Sequence, residues 1–238
     1  MTNETLAVIP ARGGSKGLAG KNLAVLAGLP LIEHSLRLAR LCPEIARTVV
    51  STDSDEIAAA VRDFGGEVLP RPPELAEDDT PMLPVLRHAL DALDPDGTRY
   101  RFLLLLDPTS PGRLPEDVTE AHRLLDDSPD ADGVVAVSEP SFNPIWHAVV
   151  DRDGYMDPLV PEGREYGRRQ DVPRVFRINA ALYLFRTAFL RRETRTWMAG
   201  RHRLLEIPEI RAFHIDTQQD LDLCELELAS GMVRLPWL

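Results

Sequence analysis

Several things are scarce in this 238-residue sequence, and each scarcity closes off a class of protein. Cysteine occurs twice, at Cys42 and Cys224, too few for a disulfide framework; both fall in helical patterns as small core residues. No apolar run approaches the ~18 residues a membrane-spanning helix needs. The opening MTNETLAVIPARGG has neither the basic stretch nor the long apolar core of a secretion leader. Positive charge is also short. With 27 Lys and Arg against 38 Asp and Glu the formal charge is −11, which argues against gripping nucleic acid or an anionic membrane by bulk charge. No Ser/His/Asp or Cys/His set is placed for covalent catalysis. His34, His88, His122, His147 and His202 sit singly and match no metal-ligand spacing. Trp146, Trp197 and Trp237 suggest no ligand cage, and no internal repeat or low-complexity stretch is visible. A reduced, cytoplasmic protein of enzyme size is the expectation.

What is present is an ordinary globular composition, 44% hydrophobic and 27% charged, in alternating strand-like and helix-like segments. Leu6 to Ile9 is a short apolar run stopped by Pro10, as a buried parallel strand would be. Leu31 to Leu41 is helical, with Ile32, Leu36 and Ala39 on one face. Thr48 to Val50 is a second strand. Asp53 and Glu56 have capping-box spacing before the stripe Ile57, Val61 and Phe64, which Gly65-Gly66 ends. Leu86, Leu90 and Leu93 mark another helix, and Phe102 to Leu106 reads as a central strand. Pro115 opens a helix, and Val134 to Val137 is a strand. Ala180 to Phe185 and Ala212 to Ile215 read as further strands. Leu221, Cys224 and Leu228 define a final helix, capped by Thr217 with Asp220 three residues on. The expected fold class is α/β, a mostly parallel Rossmann-like sheet with helices on both faces. Residues 1–238 read as one domain. At about 139–178 short β-like pieces, prolines and arginines replace the clean alternation, the pattern of a small inserted β-rich lobe suited to dimerisation.

Ligands of such sheets bind beyond the carboxyl ends of the strands, and the chemistry-bearing residues cluster there. Immediately after the first strand comes Pro10-Ala11-Arg12-Gly13-Gly14-Ser15-Lys16-Gly17-Leu18-Ala19-Gly20-Lys21-Asn22. Its four glycines let backbone N–H groups turn inward as an anion nest, and Arg12, Lys16 and Lys21 add three positive charges to an acidic protein. Triphosphate binding is the natural reading, although the spacing is neither a P-loop nor the G-x-G-x-x-G of dinucleotide folds. The run Leu103-Leu104-Leu105-Leu106 then delivers Asp107 to a strand end, ahead of Pro108-Thr109-Ser110-Pro111. A carboxylate beside a triphosphate is repulsive unless a cation lies between them, so Asp107 suggests a Mg²⁺ ligand. In His214-Ile215-Asp216-Thr217, alternation puts His214 and Asp216 on one side. From its place alone, Asp216 reads as an acid at a helix start. Arginines at 164, 168, 169, 174 and 177 face only Glu165 and Asp171, a local excess of +3. They suit a planar carboxylate, a dimer interface or plain solvation.

The stretch from Ile9 to Asn22 resembles the signature of the acylneuraminate cytidylyltransferases, which activate acidic sugars. The likeness continues in the family's order through Ser51-Thr52-Asp53, Arg71-Pro72 with Asp79-Thr80, Pro108-Thr109-Ser110-Pro111, Arg168-Arg169-Gln170-Asp171, Asn179 to Tyr183 and Ile215-Asp216-Thr217. It implies a nucleotidyltransferase fold in which CMP from CTP is joined to an acidic acceptor with release of pyrophosphate, assisted by Mg²⁺. The acceptor implied is N-acetylneuraminic acid or another nonulosonic acid. Arg12, Gly13, Gly14, Ser15, Lys16, Lys21 and Asn22 match phosphate-holding positions. Arg71 and Thr80 match positions near the cytosine, Arg71 reading equally well as a solvated arginine. Arg168, Arg169, Gln170, Asn179 and Tyr183 match the acceptor side, Tyr183 reading equally well as core. Arg12, Lys21, Asp107 and Asp216 are the candidate catalytic set, with Asp107 and Asp216 as metal ligands and Asp107 also facing the acceptor. A homodimer is implied as well. Three departures leave alternatives open: Asp107 stands where the family usually has Gln, Gly112 where Leu is common, and His214 where Asp is usual. They allow another anionic acceptor, such as a phosphonate, another nucleotide, or a nucleotide-binding module without activity.

Overall fold

The computed structural model describes residues 4–14, 17–192 and 196–238. In chain order the first half comprises β1 (Thr5–Pro10), β2 (Val25–Leu26), β3 (Leu29–Pro30), α1 (Leu31–Leu41), β4 (Ile45–Thr52), α2 (Asp55–Asp63), β5 (Glu67–Pro70) and α3 (Met82–Leu93). Next come β6 (Phe102–Leu105), α4 (Pro115–Asp126), β7 (Gly133–Ser138), α5 (Pro144–His147), β8 (Val149–Arg152) and β9 (Tyr155–Pro158). The chain ends with β10 (Arg177–Arg186), α6 (Thr187–Arg191), β11 (His202–Glu206) and α7 (Gln218–Ala229).

Seven strands form the main sheet in the order β11-β7-β10-β6-β1-β4-β5. β1 pairs in parallel with β4 and β6, β4 with β5, and β11 with β7. Only β10 runs antiparallel, between β6 and β7. β6, expected as a central strand, is the middle strand of the seven. Its residues and those of β1 alternate between two dry layers, because strand side chains have period 2 and both faces are covered. Ala7, Ile9 and Leu104 pack against α1, α2 and α4 through Ile32, Leu36, Ile57, Val61, Val118 and Leu125. Leu6, Val8, Leu103 and Leu105 pack on the other side against Leu86 and Leu90 of α3 and Phe189 and Leu190 of α6. A third apolar cluster joins α7, through Leu221 and Cys224, to Leu26, Leu31, Phe213 and Ile215, and so locks the C-terminal segment onto the loop region after β1.

Two details differ from the pattern read in the sequence. Ala212–Ile215 is not a sheet strand; the seventh strand is His202–Glu206, on the sheet edge. The segment from 212 to 215 alternates like a strand because Phe213 and Ile215 are buried, yet Ile215 N–H is tied to Thr109 O (2.9 Å) rather than to a ladder. The cap of α2 is Ser54, whose hydroxyl accepts from Ile57 N–H, and not Asp53. Asp53 is thereby left for the loop after β1. Residues 139–176 lie outside the main sheet and contain α5, the two-stranded β8–β9 hairpin and two short 3₁₀ turns, whereas Arg177 and Ile178, expected in the lobe, already pair with β7 as the start of β10.

Candidate active site

β1, β4 and β6 are adjacent and parallel, so their carboxyl ends open on one edge of the sheet, where a cleft of about 330 Å³ lies. Arg12, Lys21, Asn22, Arg71, Asp107 and Asp216 all line it, with Gly14, Gly17 and Thr109. These residues come from four separate stretches of sequence, and the sheet order brings them together.

The glycine-rich loop is held on three sides. Gly13 N–H donates to Asp53 Oδ1 (2.9 Å), and Asn22 Nδ2 donates to the Arg12 carbonyl (3.1 Å). Gly17 packs so closely on the Asp216 backbone that a β-carbon there would overlap the Asp216 carbonyl oxygen. The loop's cations face acids across the opening: Arg12 Nη1 pairs with Asp78 Oδ1 at 2.5 Å and Lys21 Nζ with Asp216 Oδ1 at 2.7 Å. Lys21 and, less strongly, His214 (Nε2 to Asp216 Oδ2, 2.9 Å) hold the Asp216 carboxyl below the usual carboxylate range. Ser15 and Lys16, expected on the phosphate side, lie outside the described residues.

Arg71 is buried at the end of β5, donating from Nε to Ser51 Oγ (3.1 Å) and from Nη2 to Ser51 O (2.8 Å). Burial lowers its pKa, while Asp53 acts in the opposite sense. A buried guanidinium anchored on neutral groups presents its charge to whatever enters the cleft. Thr80, expected near it, bonds through Oγ1 to Glu74 O and is not part of the cleft lining.

Asp107 sits just past β6, with Oδ1 accepting from both Thr109 N–H (3.1 Å) and Thr109 Oγ1 (2.9 Å). This closed turn fixes the carboxylate at the cleft. Gly112, where the family commonly has Leu, is required by packing: a β-carbon would run into the Arg211 carbonyl oxygen. Arg211 in turn forms a two-point ion pair with Asp117 (2.6 and 2.9 Å), which also caps α4 by accepting from Leu114 N–H.

Beyond Asp107 the cleft adjoins an apolar pocket of about 200 Å³ formed by Met82, Leu86, Ala180, Tyr183, Phe185 and Trp197, with Asp107 and Met82 common to both. Tyr183 lines this pocket with its ring against Trp197 (5.2 Å between centroids), and burial pushes its phenol pKa up to about 12. Asn179 is buried and spent on the fold, donating to Ser138 Oγ and accepting from Ala181 N–H. Arg169 and Gln170 line a different hollow on the lobe, with Glu139 and Arg174, and Arg168 pairs with Asp171. Asp78, Arg113 and Trp197 do not stand out as site residues in the sequence. Asp78 meets Arg12, and Arg113 meets Ser35 and Ala181, across tens of residues, while Trp197 joins the pocket by packing its ring on Tyr183.

Two carboxylates on one cleft fit Mg²⁺, which is typically held by one or two carboxylates together with substrate phosphates. Among the described residues no group of three or more His, Cys, Asp or Glu could hold a metal ion.

A strand-end cleft pairing a basic glycine-rich loop with two carboxylates, on this sheet order, defines an α/β protein of the Rossmann-like nucleotidyltransferase class. Residues 6–99 match the family described as cytidylyltransferase. A flagellin modification protein B of Campylobacter coli is 30% identical over 226 residues, 94% of each chain. The CMP-N,N'-diacetyllegionaminic acid synthase of Campylobacter jejuni is 31% identical over 224 residues, 93% of this chain and 94% of that one. Among solved structures, a CMP:2-keto-3-deoxy-manno-octonic acid synthetase complexed with CTP superposes with a TM-score of 0.71 at 21% identity, over 96% of this chain and 99% of the other. The chain belongs to the acylneuraminate cytidylyltransferase family. No helix among the described residues is long and apolar enough to cross a membrane.

Proposed function

We propose that this chain transfers CMP from CTP to an acidic, N-acylated sugar acid of the nonulosonic type, releasing pyrophosphate. The observation that carries the reading is the cleft itself, where two cations of the loop after β1 oppose two carboxylates from distant parts of the chain. The legionaminic acid activity of the Campylobacter jejuni relative supports the same acceptor class.

The acceptor hydroxyl oxygen attacks the α-phosphorus. Its bond to phosphorus forms as the bond to the bridging oxygen of the β-phosphate breaks; the hydroxyl proton passes to solvent water, and pyrophosphate leaves with the electron pair of the broken bond. Little covalent work falls on the protein, which aligns the reactants and neutralises growing negative charge. Arg12 and Lys21 hold the β- and γ-phosphates. On nucleotide entry Lys21 exchanges its contact with Asp216 for phosphate oxygens. Gly13 and Gly14 allow the backbone to approach, and Asn22 braces the Arg12 main chain. Arg71, fixed on Ser51, faces the base. Asp107 and Asp216 would hold Mg²⁺ together with the phosphates, and the ion would supply neutralisation of the phosphate charge there.

The apolar pocket beside Asp107 takes the acceptor's acyl group against Tyr183 and Trp197. The lobe at 139–178 forms a homodimer through exposed Phe142, Tyr155 and Met156, which are 72–78% accessible in the single chain. The enzyme works in a reduced cytoplasm, consistent with two free buried cysteines. Incubation with CTP, ATP, GTP or UTP, Mg²⁺ and a panel of nonulosonic and phosphonic acids, with mass detection of the conjugate, tests the reading. The expected result is a CMP conjugate of a nonulosonic acid with CTP alone. A preference for another nucleotide, or a phosphonate conjugate only, overturns it.

A further inference from the structure

We propose that Arg113 is a positioning residue whose guanidinium ties the Asp107 end of β6 to the bulge of β10 and so sets the separation of two walls of the apolar pocket.

β6 and β10 pair regularly as far as Tyr183 and Leu105, and there the ladder stops. On its other side β10 loses register with β7 between Ile178 and Tyr183, so 179–182 bulge out of the sheet. Ala180, at the bulge, is held at φ +59°, in the left-handed region that alanine rarely adopts. Such a conformation persists only where its surroundings hold it. From one side Asn179 does so, accepting from Ala181 N–H (3.1 Å) and donating to Ser138 Oγ (2.8 Å), which donates onward to Ile207 O (2.6 Å).

Arg113 acts from the other side. Its Nη1 donates to both the Asp107 carbonyl (2.9 Å) and the Ala181 carbonyl (2.8 Å), bridging the two strands where their own rungs are missing. Nη2 donates to Ser35 Oγ of α1 (2.5 Å). The side chain is 1% exposed, its Nε has no hydrogen-bond partner, and among the described residues it makes no ion pair. Burial pulls its pKa down to about 10, with Asp107 the leading opposing influence. A guanidinium kept in the interior on two carbonyls and a hydroxyl, all neutral, is costly, and what it secures is geometry rather than stability. Asp107 and Ala180, which it links through the adjoining backbone, both line the apolar pocket.

The kinetic arm of the test rests on the cytidylyl-transfer reading; the exchange arm does not. Hydrogen exchange by mass spectrometry is measured on Arg113→Met, Arg113→Lys and Ser35→Ala beside the parent. In Arg113→Met, peptides spanning 105–109 and 179–183 are expected to exchange faster together by about tenfold, while those spanning 5–10 and 45–52 keep their rates. The acceptor KM rises about tenfold, and the KM for CTP, which Asp107 serves only together with Asp216 and the loop cations, rises by several-fold less. Arg113→Lys, which keeps a cation with three donors on a shorter stem, recovers part of both losses, and Ser35→Ala gives a smaller shift of the same sign. Should Arg113→Met not fold, the other two variants carry the test, each with faster exchange confined to the two segments. Exchange that is unchanged or uniformly faster across the sheet overturns the proposal, as does an equal rise of both KM values. A parent enzyme forming no CMP conjugate would sink the functional reading and leave the exchange comparison decisive for Arg113.

Discussion

A single methyl group at Gly17 probes the geometry of the phosphate loop without touching any charge. In the native packing a β-carbon at this position overlaps the Asp216 carbonyl oxygen, which is backbone and cannot swing aside. Restoring ordinary contact moves the loop away from Asp216 by about 1 Å, and a displacement of that size at an aligned reaction centre costs roughly 10²-fold, or about 2.7 kcal/mol. The loop is largely exposed and contributes little to either main core layer, so the global stability of Gly17→Ala should fall by less than about 1 kcal/mol. The assay pairs initial rates of pyrophosphate release over a range of CTP with urea unfolding of the same preparation. The reasoning predicts a fall in kcat/KM for CTP of about two orders of magnitude with a nearly unchanged unfolding midpoint. An unaltered kcat/KM would refute it, because the loop would then be free to place its cations without its contact on the Asp216 backbone. A loss of activity fully matched by loss of folded protein would refute it too.

Other changes act through the same contacts. Lys21→Ala should lower kcat by roughly 10²- to 10³-fold with an unfolding midpoint close to the parent's, since Lys21 neutralises charge that grows during the reaction; steady-state kinetics checks this, and unchanged turnover removes its phosphate role. Asp117→Ala strips the Arg211 guanidinium of a poorly exposed partner and uncaps α4, and should destabilise by about 2–4 kcal/mol in urea unfolding. His34 is buried, accepts at Nδ1 from Trp237 Nε1 and bonds through Nε2 to Leu26 O, so only the neutral ring fits. Desolvation, helped by Arg37 and Arg113, lowers its pKa from the ordinary 6.5. The unfolded chain therefore binds the proton first, and the stability that the neutral ring supports is complete above pH 6.5 and is lost as pH falls toward the folded pKa. Unfolding free energies between pH 7.5 and 5 should drop more steeply for the parent than for His34→Gln, and parallel curves would contradict this.

Much of the arrangement could be read from the sequence because the strands are buried on both faces and carry nearly unbroken apolar runs. Leu6–Ile9 and Leu103–Leu106 announced themselves in this way, and the residues just after each run had to sit at the sheet edge where ligands bind. Arg12, Lys21 and Asp107 were therefore legible as one group once a parallel sheet was inferred. Asp216 was legible too, although the segment carrying it is not a strand: burial of Phe213 and Ile215 alone produced the alternation. The edge strand His202–Glu206 carries no strand signal in the sequence because only Leu205 of its five residues is buried. The contacts that fix the cleft were invisible for a different reason. Asp78 meets Arg12 across 66 residues of sequence, and Arg113 meets Ala181 across 68. No local periodicity records such pairings, and a buried arginine that donates to carbonyls looks in sequence like any surface arginine in a loop.

Calorimetric titration with cytidine triphosphate and Mg²⁺ bears most directly on the identity of the cleft. The account predicts saturable one-site binding that needs the metal, is weaker for the other nucleoside triphosphates, and is lost in the Arg12→Ala, Lys21→Ala double variant while that variant remains folded. Absence of binding heat over a range of temperatures, or equal affinity in the double variant, would contradict it.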